Sequence, residues 1–165
     1  MGGWRPNPGL IEGVAVAIEW PERDGMDPDQ FCRAMRQLDM LPRLSDVMSL
    51  RFLTLPTRRA YAAAGSFVHW MFETYGAEEV RRVHRAGVLD ALGSTAELEA
   101  AWHAHLDGVE LPDGALALTE LRFYRASIFQ TACPHRLARL HQEMAFDRAA
   151  GDERRLALGC TEALE

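Results

Sequence analysis

The apolar residues of this chain recur at helical spacing from one end to the other, and this periodicity constrains the fold more than any other feature. Strand-like alternation is confined to LRFLTL at residues 50–55. Apolar residues at positions i, i+3, i+4 and i+7 give a helix one face that packs against a core. The sequence therefore predicts an all-α protein, an irregular helical bundle of about seven to nine helices that ends in a helical hairpin.

Proline, glycine and capping residues indicate where these helices begin and end. Pro8 and Pro28 suit first turns, Thr57 and Ser94 suit N-caps, and Gly76 suits a C-terminus. The predicted helices cover residues 8–20, 28–39, 57–76, 77–86, 95–107 and 116–124, with a short helical turn at 43–49 and a final helix pair within 134–165.

The turn sequence LPDG at residues 111–114 suggests a boundary, which predicts three segments: residues 1–110, a connection at 111–133, and a hairpin at 134–165. In the hairpin, Leu156, Cys160 and Ala163 occupy packing positions. This segment resembles the start of a tetratricopeptide array. A lone repeat cannot bury its apolar face, so the resemblance implies further helical repeats downstream in a longer parent protein.

Composition excludes several classes of protein. The 165 residues carry a net charge of −6, and all 18 basic residues are arginines scattered among more numerous acids, which argues against a nucleic-acid partner. The apolar runs are far shorter than the roughly 20 residues that span a bilayer. Three widely spaced cysteines are typical of reduced thiols. We therefore expect a soluble, cytoplasmic protein.

The first predicted helix carries two acids in an otherwise apolar sequence. Glu12 and Glu19 are seven residues apart, nearly two full turns, so both carboxylates project from one stripe of the helix. A buried carboxylate without a partner costs several kcal/mol. The stripe must therefore face water, a cationic partner or a metal.

The segment NPGLIEGVAVAIEW at residues 7–20 resembles the W-L-x-E-G-x-A-x-x-x-E helix of gluzincin zinc metallopeptidases, the aminopeptidase-N-like group. Gly9 departs from the motif, because an aromatic residue is usual there. The resemblance implies that Glu12 is the third zinc ligand and that Glu19 belongs to the surroundings of the metal. The segment AYAAAGSFVHWMFETYG at residues 60–76 is similar to the following helix of these enzymes and implies that Tyr61 stabilises the oxyanion. The resemblance covers residues 7–107.

The H-E-x-x-H motif that supplies the other two zinc ligands and the general base does not occur in the sequence. His69 with Glu73, and His103 with Asp107, have the i,i+4 spacing of ordinary ion pairs. His135, two residues after Cys133, is explained more simply by a helix start than by a metal site.

Two explanations of the missing motif stay open. Either H-E-x-x-H lies upstream of Met1 in a longer parent that cleaves peptides and holds zinc, or the chain is a degenerate relative. We expect the first, with this chain inactive alone and unable to hold zinc alone. The exposed apolar surface that such a fragment leaves predicts a homodimer.

The alternative function is a helical scaffold that binds a partner protein without chemistry. In that case Tyr61 packs away from Glu12, whereas the peptidase hypothesis requires both to line one cleft.

Overall fold

The computed structural model describes residues 7–124, and apart from an isolated bridge between Arg23 and Met26 all regular structure in that range is helical. The prediction of an all-α protein is confirmed. Seven α-helices and one 3₁₀ helix follow one another: α1 (Pro8–Glu19), α2 (Pro28–Gln37), α3 (Leu44–Val47), the 3₁₀ helix (Leu50–Thr54), α4 (Thr57–Tyr75), α5 (Ala77–Ala86), α6 (Thr95–Asp107) and α7 (Ala115–Phe123).

Side-chain caps fix the starts of three helices. The Asn7 side chain accepts a hydrogen bond from the Leu10 backbone N–H at 3.2 Å, and Pro8 follows in the first turn of α1. Capping boxes open α2 and α6, at Asp27 and Ser94. These starts agree with the sequence prediction. The predicted cap of α4 is wrong, because Thr57 is already helical and the N-cap is Pro56, which has no side-chain donor or acceptor.

The strand-like segment LRFLTL forms the 3₁₀ helix instead of a strand. Phe52 is buried, while Leu50 and Leu53 are 67% and 72% exposed. A strand needs a partner to satisfy its backbone hydrogen bonds, and residues 7–124 contain no second strand. Local turns of helix satisfy these groups without one.

Helix α4 is the centre of the bundle and contacts α1, α2, α3, α5 and α6. Its buried face includes Ser66, whose hydroxyl accepts a 3.0 Å hydrogen bond from the indole N–H of Trp102. Phe67 packs edge-on against the same indole. The Trp102 ring is therefore held in the core with its polar atom satisfied.

Helix α7 packs on α2, although it lies in the expected connection at 111–133. The rings of Phe31 and Phe123 meet edge to face at 5.3 Å, and the Arg59 guanidinium donates to the Phe123 carbonyl oxygen at 2.7 and 3.0 Å. The chain divides into compact units Met1–Ser127 and Ile128–Glu165. The predicted hairpin at 134–165 lies outside the described residues. None of the helices in residues 7–124 has the length and apolar character of a membrane span.

Candidate functional site

Helices α1 and α4 run in the same direction and pair residue by residue. Glu12 lies beside Tyr61, Val16 packs against Gly65, and the Trp20 ring stacks on His69 with ring centroids 3.8 Å apart. Each pair is separated by the same number of positions in the chain, which is the pattern of two parallel helices in register. This register brings the two sequence-predicted residues Glu12 and Tyr61 together.

Two glycines allow the backbones of α1 and α4 to approach closely. A Cβ atom on Gly13 would lie 2.7 Å from the carbonyl oxygen of Ala64, and one on Gly65 would lie 2.2 Å from Cγ1 of Val16. Both distances are far shorter than van der Waals contact. Gly13 therefore follows Glu12 for a steric reason, because any side chain there would push α1 away from α4.

The Glu12 carboxylate lies close enough to the Tyr61 phenol, at the start of this helix pair, to change its pKa. Burial raises the pKa of Tyr61, and hydrogen bonding to Glu12 together with the negative charge of that carboxylate raises it further. The Tyr61 ring is half-buried and contacts the Phe52 ring at 5.4 Å between centroids. The phenol therefore stays protonated at neutral pH and remains a hydrogen-bond donor.

Glu12 is half-buried, and among residues 7–124 no arginine or histidine forms an ion pair with it. Its negative charge is balanced by no neighbour in that part of the chain. A cation placed beside Tyr61 would therefore be attracted to this carboxylate.

A cleft of about 450 Å³ opens beside Tyr61, within the size range of small-molecule sites. Helices α1, α2, α4 and α7 and the loop after α1 form its walls. Its apolar lining residues are Val16, Pro21, Pro28, Phe31, Ala62 and Phe123. Its polar lining residues are Glu19, Arg23, Thr57, Arg58, Tyr61 and Arg122.

The sequence-predicted residues divide between this cleft and its edge. Tyr61 and Glu19 line the cleft, and Glu19 is exposed to solvent. Glu12 is not one of the lining residues, so the requirement of the peptidase hypothesis that Glu12 and Tyr61 both line one cleft is not met by this cleft. Glu12 lies beside Tyr61, while Glu19 stands apart at the C-terminal end of α1.

Three arginines of the cleft, Arg23, Arg58 and Arg122, have no distinguishing motif in the sequence. Arg122 pairs with Asp24, and its guanidinium lies 5.2 Å from the centroid of the Phe31 ring. One signal could have identified Arg58. It stands in the first turn of α4, where the sequence has no acid. Helix N-termini favour acids, so a basic first turn is unusual.

The histidines of α4 and α6 do not form the expected ion pairs within the described residues. His69 stacks on Trp20, and Asp107 pairs with Arg33 and Arg36 instead of His103. No three His, Cys, Asp or Glu side chains of residues 7–124 lie close enough together to hold a metal ion. His135 and Cys133 lie outside the described residues.

His105 binds an acid of another helix. Its Nε2 atom lies 2.9 Å from Oδ2 of Asp29, which is buried at the start of α2. Cys32 is buried one turn further along α2, where burial raises the pKa of its thiol well above the usual value and Asp29 adds to this increase. The Cys32 thiol is therefore protonated and not nucleophilic.

Comparison with protein-family models, with curated protein sequences and with solved structures finds no match to the chain.

Proposed function

We propose that Glu12 and Tyr61 form the carboxylate and phenol part of a gluzincin-like zinc metallopeptidase site. The observation that carries the proposal is the proximity of these two side chains on the parallel helices α1 and α4, where the Glu12 carboxylate raises the pKa of Tyr61. The resemblance implies roles in one active site for these residues, which are far apart in the sequence, and Tyr61 lines a cleft beside the pair.

The described residues fit this site only in part. Glu12 offers one oxygen ligand, half-buried and without an ion-pair partner in residues 7–124. A catalytic zinc needs three protein ligands, and those residues supply no group of three candidates. Zinc, when bound in such a site, polarises water and a peptide carbonyl. This chain by itself is therefore inactive in our proposal, and no step through zinc is assigned to it.

Tyr61 has a role that does not depend on the identity of the missing ligands. Its raised pKa keeps the phenol protonated, and its position on the cleft wall lets the hydroxyl reach a bound ligand. A protonated phenol donates a hydrogen bond to the oxygen on which negative charge develops during attack on a carbonyl.

The missing histidines would have to come from a segment beside Glu12. Zinc–nitrogen bonds are about 2 Å long, so such a segment must contact the N-terminal half of α1. On that helix Ile11 is 43% exposed and Ile18 is 74% exposed, on the same face as the exposed Ala15. A helix packed there would cover this apolar stripe, which the described residues leave open.

The test uses the gene product that contains this chain together with its flanking coding sequence. Zinc content and hydrolysis of a peptide library are measured for the parent protein and for two variants. We expect Glu12→Gln to lose both zinc and activity. We expect Tyr61→Phe to keep zinc and to lose about 100-fold in kcat, as removal of an oxyanion donor does in other enzymes.

Matched controls are Glu22→Gln, an exposed acid in the loop after α1, and Tyr75→Phe at the end of α4, which keeps the packing against Trp70. Both should retain zinc and activity. A parent protein without H-E-x-x-H, or a Glu12→Gln variant that binds zinc as well as the parent, would contradict the proposal.

One observation favours the second candidate, a helical scaffold. The apolar stripe of Ile11, Ala15 and Ile18 could contact a partner protein or a second copy of the chain. Light scattering tests this, with Ile18→Glu as the disrupting variant and Ala96→Glu, on exposed α6 surface, as the control. A dimer that only Ile18→Glu dissociates identifies the stripe as an association surface, which the scaffold requires and which the homodimer expected of a fragment would also use. A monomer at every concentration counts against association through this stripe.

A further inference from the structure

The cleft beside Tyr61 carries an excess of positive charge. Arg23, Arg58 and Arg122 line it, against a single lining acid, Glu19. Asp24 neutralises Arg122. Arg23 and Arg58 form no ion pair with any acid in residues 7–124. In a protein with a net charge of −6, this is a local site for an anion.

The remaining wall of the cleft is apolar. Its half-buried apolar residues are Val16, Pro21 and Ala62, whereas Phe31 and Phe123, which meet edge to face, are each only 4% exposed. An inorganic anion would leave this surface in contact with water. A ligand with one carboxylate and an apolar group would use both parts of the cleft.

The arginines lie close to the phenol along the helix. Arg58 and Tyr61 are three residues apart on α4, so they share a face and differ by about 4.5 Å in height along the helix axis. Arg58 is also oriented toward α7, because its guanidinium donates to the Arg122 carbonyl oxygen at 3.5 Å.

We propose that the cleft binds the C-terminal residue of a peptide, with its carboxylate at Arg58 and Arg23 and its apolar side chain on Val16, Pro21 and Ala62. This assignment rests on the proposed function and specifies its substrate class: peptides that end in a free carboxylate after an apolar residue. Glu19, at the rim, opposes the carboxylate and would attract an amine instead.

The experiment measures binding to the 165-residue chain by NMR chemical-shift titration with three probes. These are N-acetylphenylalanine, its neutral amide, and phenylalanine amide, which has a free amine and no carboxylate. We expect N-acetylphenylalanine to bind about tenfold more tightly than its amide, because the amide forms no charge-assisted hydrogen bonds with arginine. Phenylalanine amide should bind most weakly.

Variants separate the contributions of the lining charges. Arg58→Gln and Arg23→Gln should each weaken binding of N-acetylphenylalanine several-fold and leave its amide unaffected. Glu19→Gln should tighten binding of N-acetylphenylalanine, because the opposing negative charge is removed. Arg85→Gln, an exposed arginine on α5 away from the cleft, is the matched control and should change nothing.

Three results would overturn the proposal: equal binding of acid and amide, tightest binding of phenylalanine amide, or displacement of N-acetylphenylalanine by an equal concentration of inorganic phosphate. The last result would identify a general anion site. No zinc is needed in any of these measurements. If the chain binds the acid selectively but the parent protein lacks peptidase activity, only the proposed function is refuted. If the parent protein cleaves peptides equally well with and without a free C-terminal carboxylate, only this assignment is refuted.

Discussion

The close approach of α1 and α4 can be tested with one added methyl group. In Gly65→Ala, the new Cβ would lie 2.2 Å from Cγ1 and 2.7 Å from Cβ of Val16. Carbon atoms in contact are about 3.5 Å apart or more, so the overlap is roughly 1 Å. Rotating the Val16 side chain does not relieve the contact with its Cβ atom. The helices must therefore move apart.

Overpacking of this kind costs about 1 to 3 kcal/mol, and the absence of a rotamer escape puts Gly65→Ala near the upper limit. Alanine gains about 1 kcal/mol over glycine inside a helix. The net loss in the free energy of unfolding is therefore about 2 kcal/mol, or a fall in Tm of about 6 °C for a chain of this size.

Urea unfolding followed by circular dichroism measures this loss. The matched control is Gly108→Ala at the end of α6, where an added Cβ would lie 3.4 Å from its nearest neighbour, the His105 carbonyl oxygen, and φ is −84°. We expect that control to change stability by less than about 0.5 kcal/mol. In a Val16→Ala background, the Gly65→Ala penalty should shrink, because the closest atom is gone. A Gly65→Ala protein as stable as the unsubstituted chain would refute the packing of α1 on α4.

Three further predictions concern titratable groups. Absorbance titration of tyrosinate should show one of the three tyrosines ionising above the ordinary tyrosine pKa. Glu12→Gln should lower the midpoint of that titration. An unchanged midpoint would show that Glu12 does not influence Tyr61. Cys32 should react with a thiol reagent only after urea unfolding, and rapid reaction in the native protein would contradict its burial. Burial and the charge of Arg36 lower the pKa of His103, so the unfolded chain binds a proton that the folded chain does not, and the free energy of unfolding should fall as the pH drops below about 6.5. His103→Gln should reduce this pH dependence in urea unfolding measured at several pH values. An unchanged pH dependence in that variant would refute the prediction.

The sequence was sufficient to predict the helices because their signals are local. Asp27 with Gln30 and Ser94 with Glu97 form the capping boxes that open α2 and α6, and each box involves residues three apart. LRFLTL shows the limit of such reasoning: its composition favours a strand, but a strand forms only with a partner, and residues 7–124 provide none.

The first helix shows the same limit for burial. Its composition is apolar almost all round and suggests a helix buried on every side, yet Ile11 and Ile18 are exposed. Periodicity reports how many faces a helix could bury. Which faces are covered depends on the segments that pack against it.

The sequence by itself determined where the helices of residues 7–124 lie and, through the family resemblance, raised the expectation that Glu12 and Tyr61 belong to one site. Only the tertiary structure decided that they are neighbours, because their proximity depends on parallel packing of α1 and α4 at Gly13 and Gly65. The cleft, too, was determined only by the tertiary structure. Arg23, Arg58 and Arg122 come from a loop and two helices distant in the chain. Local patterns cannot report such a convergence, since no short-range interaction joins these residues.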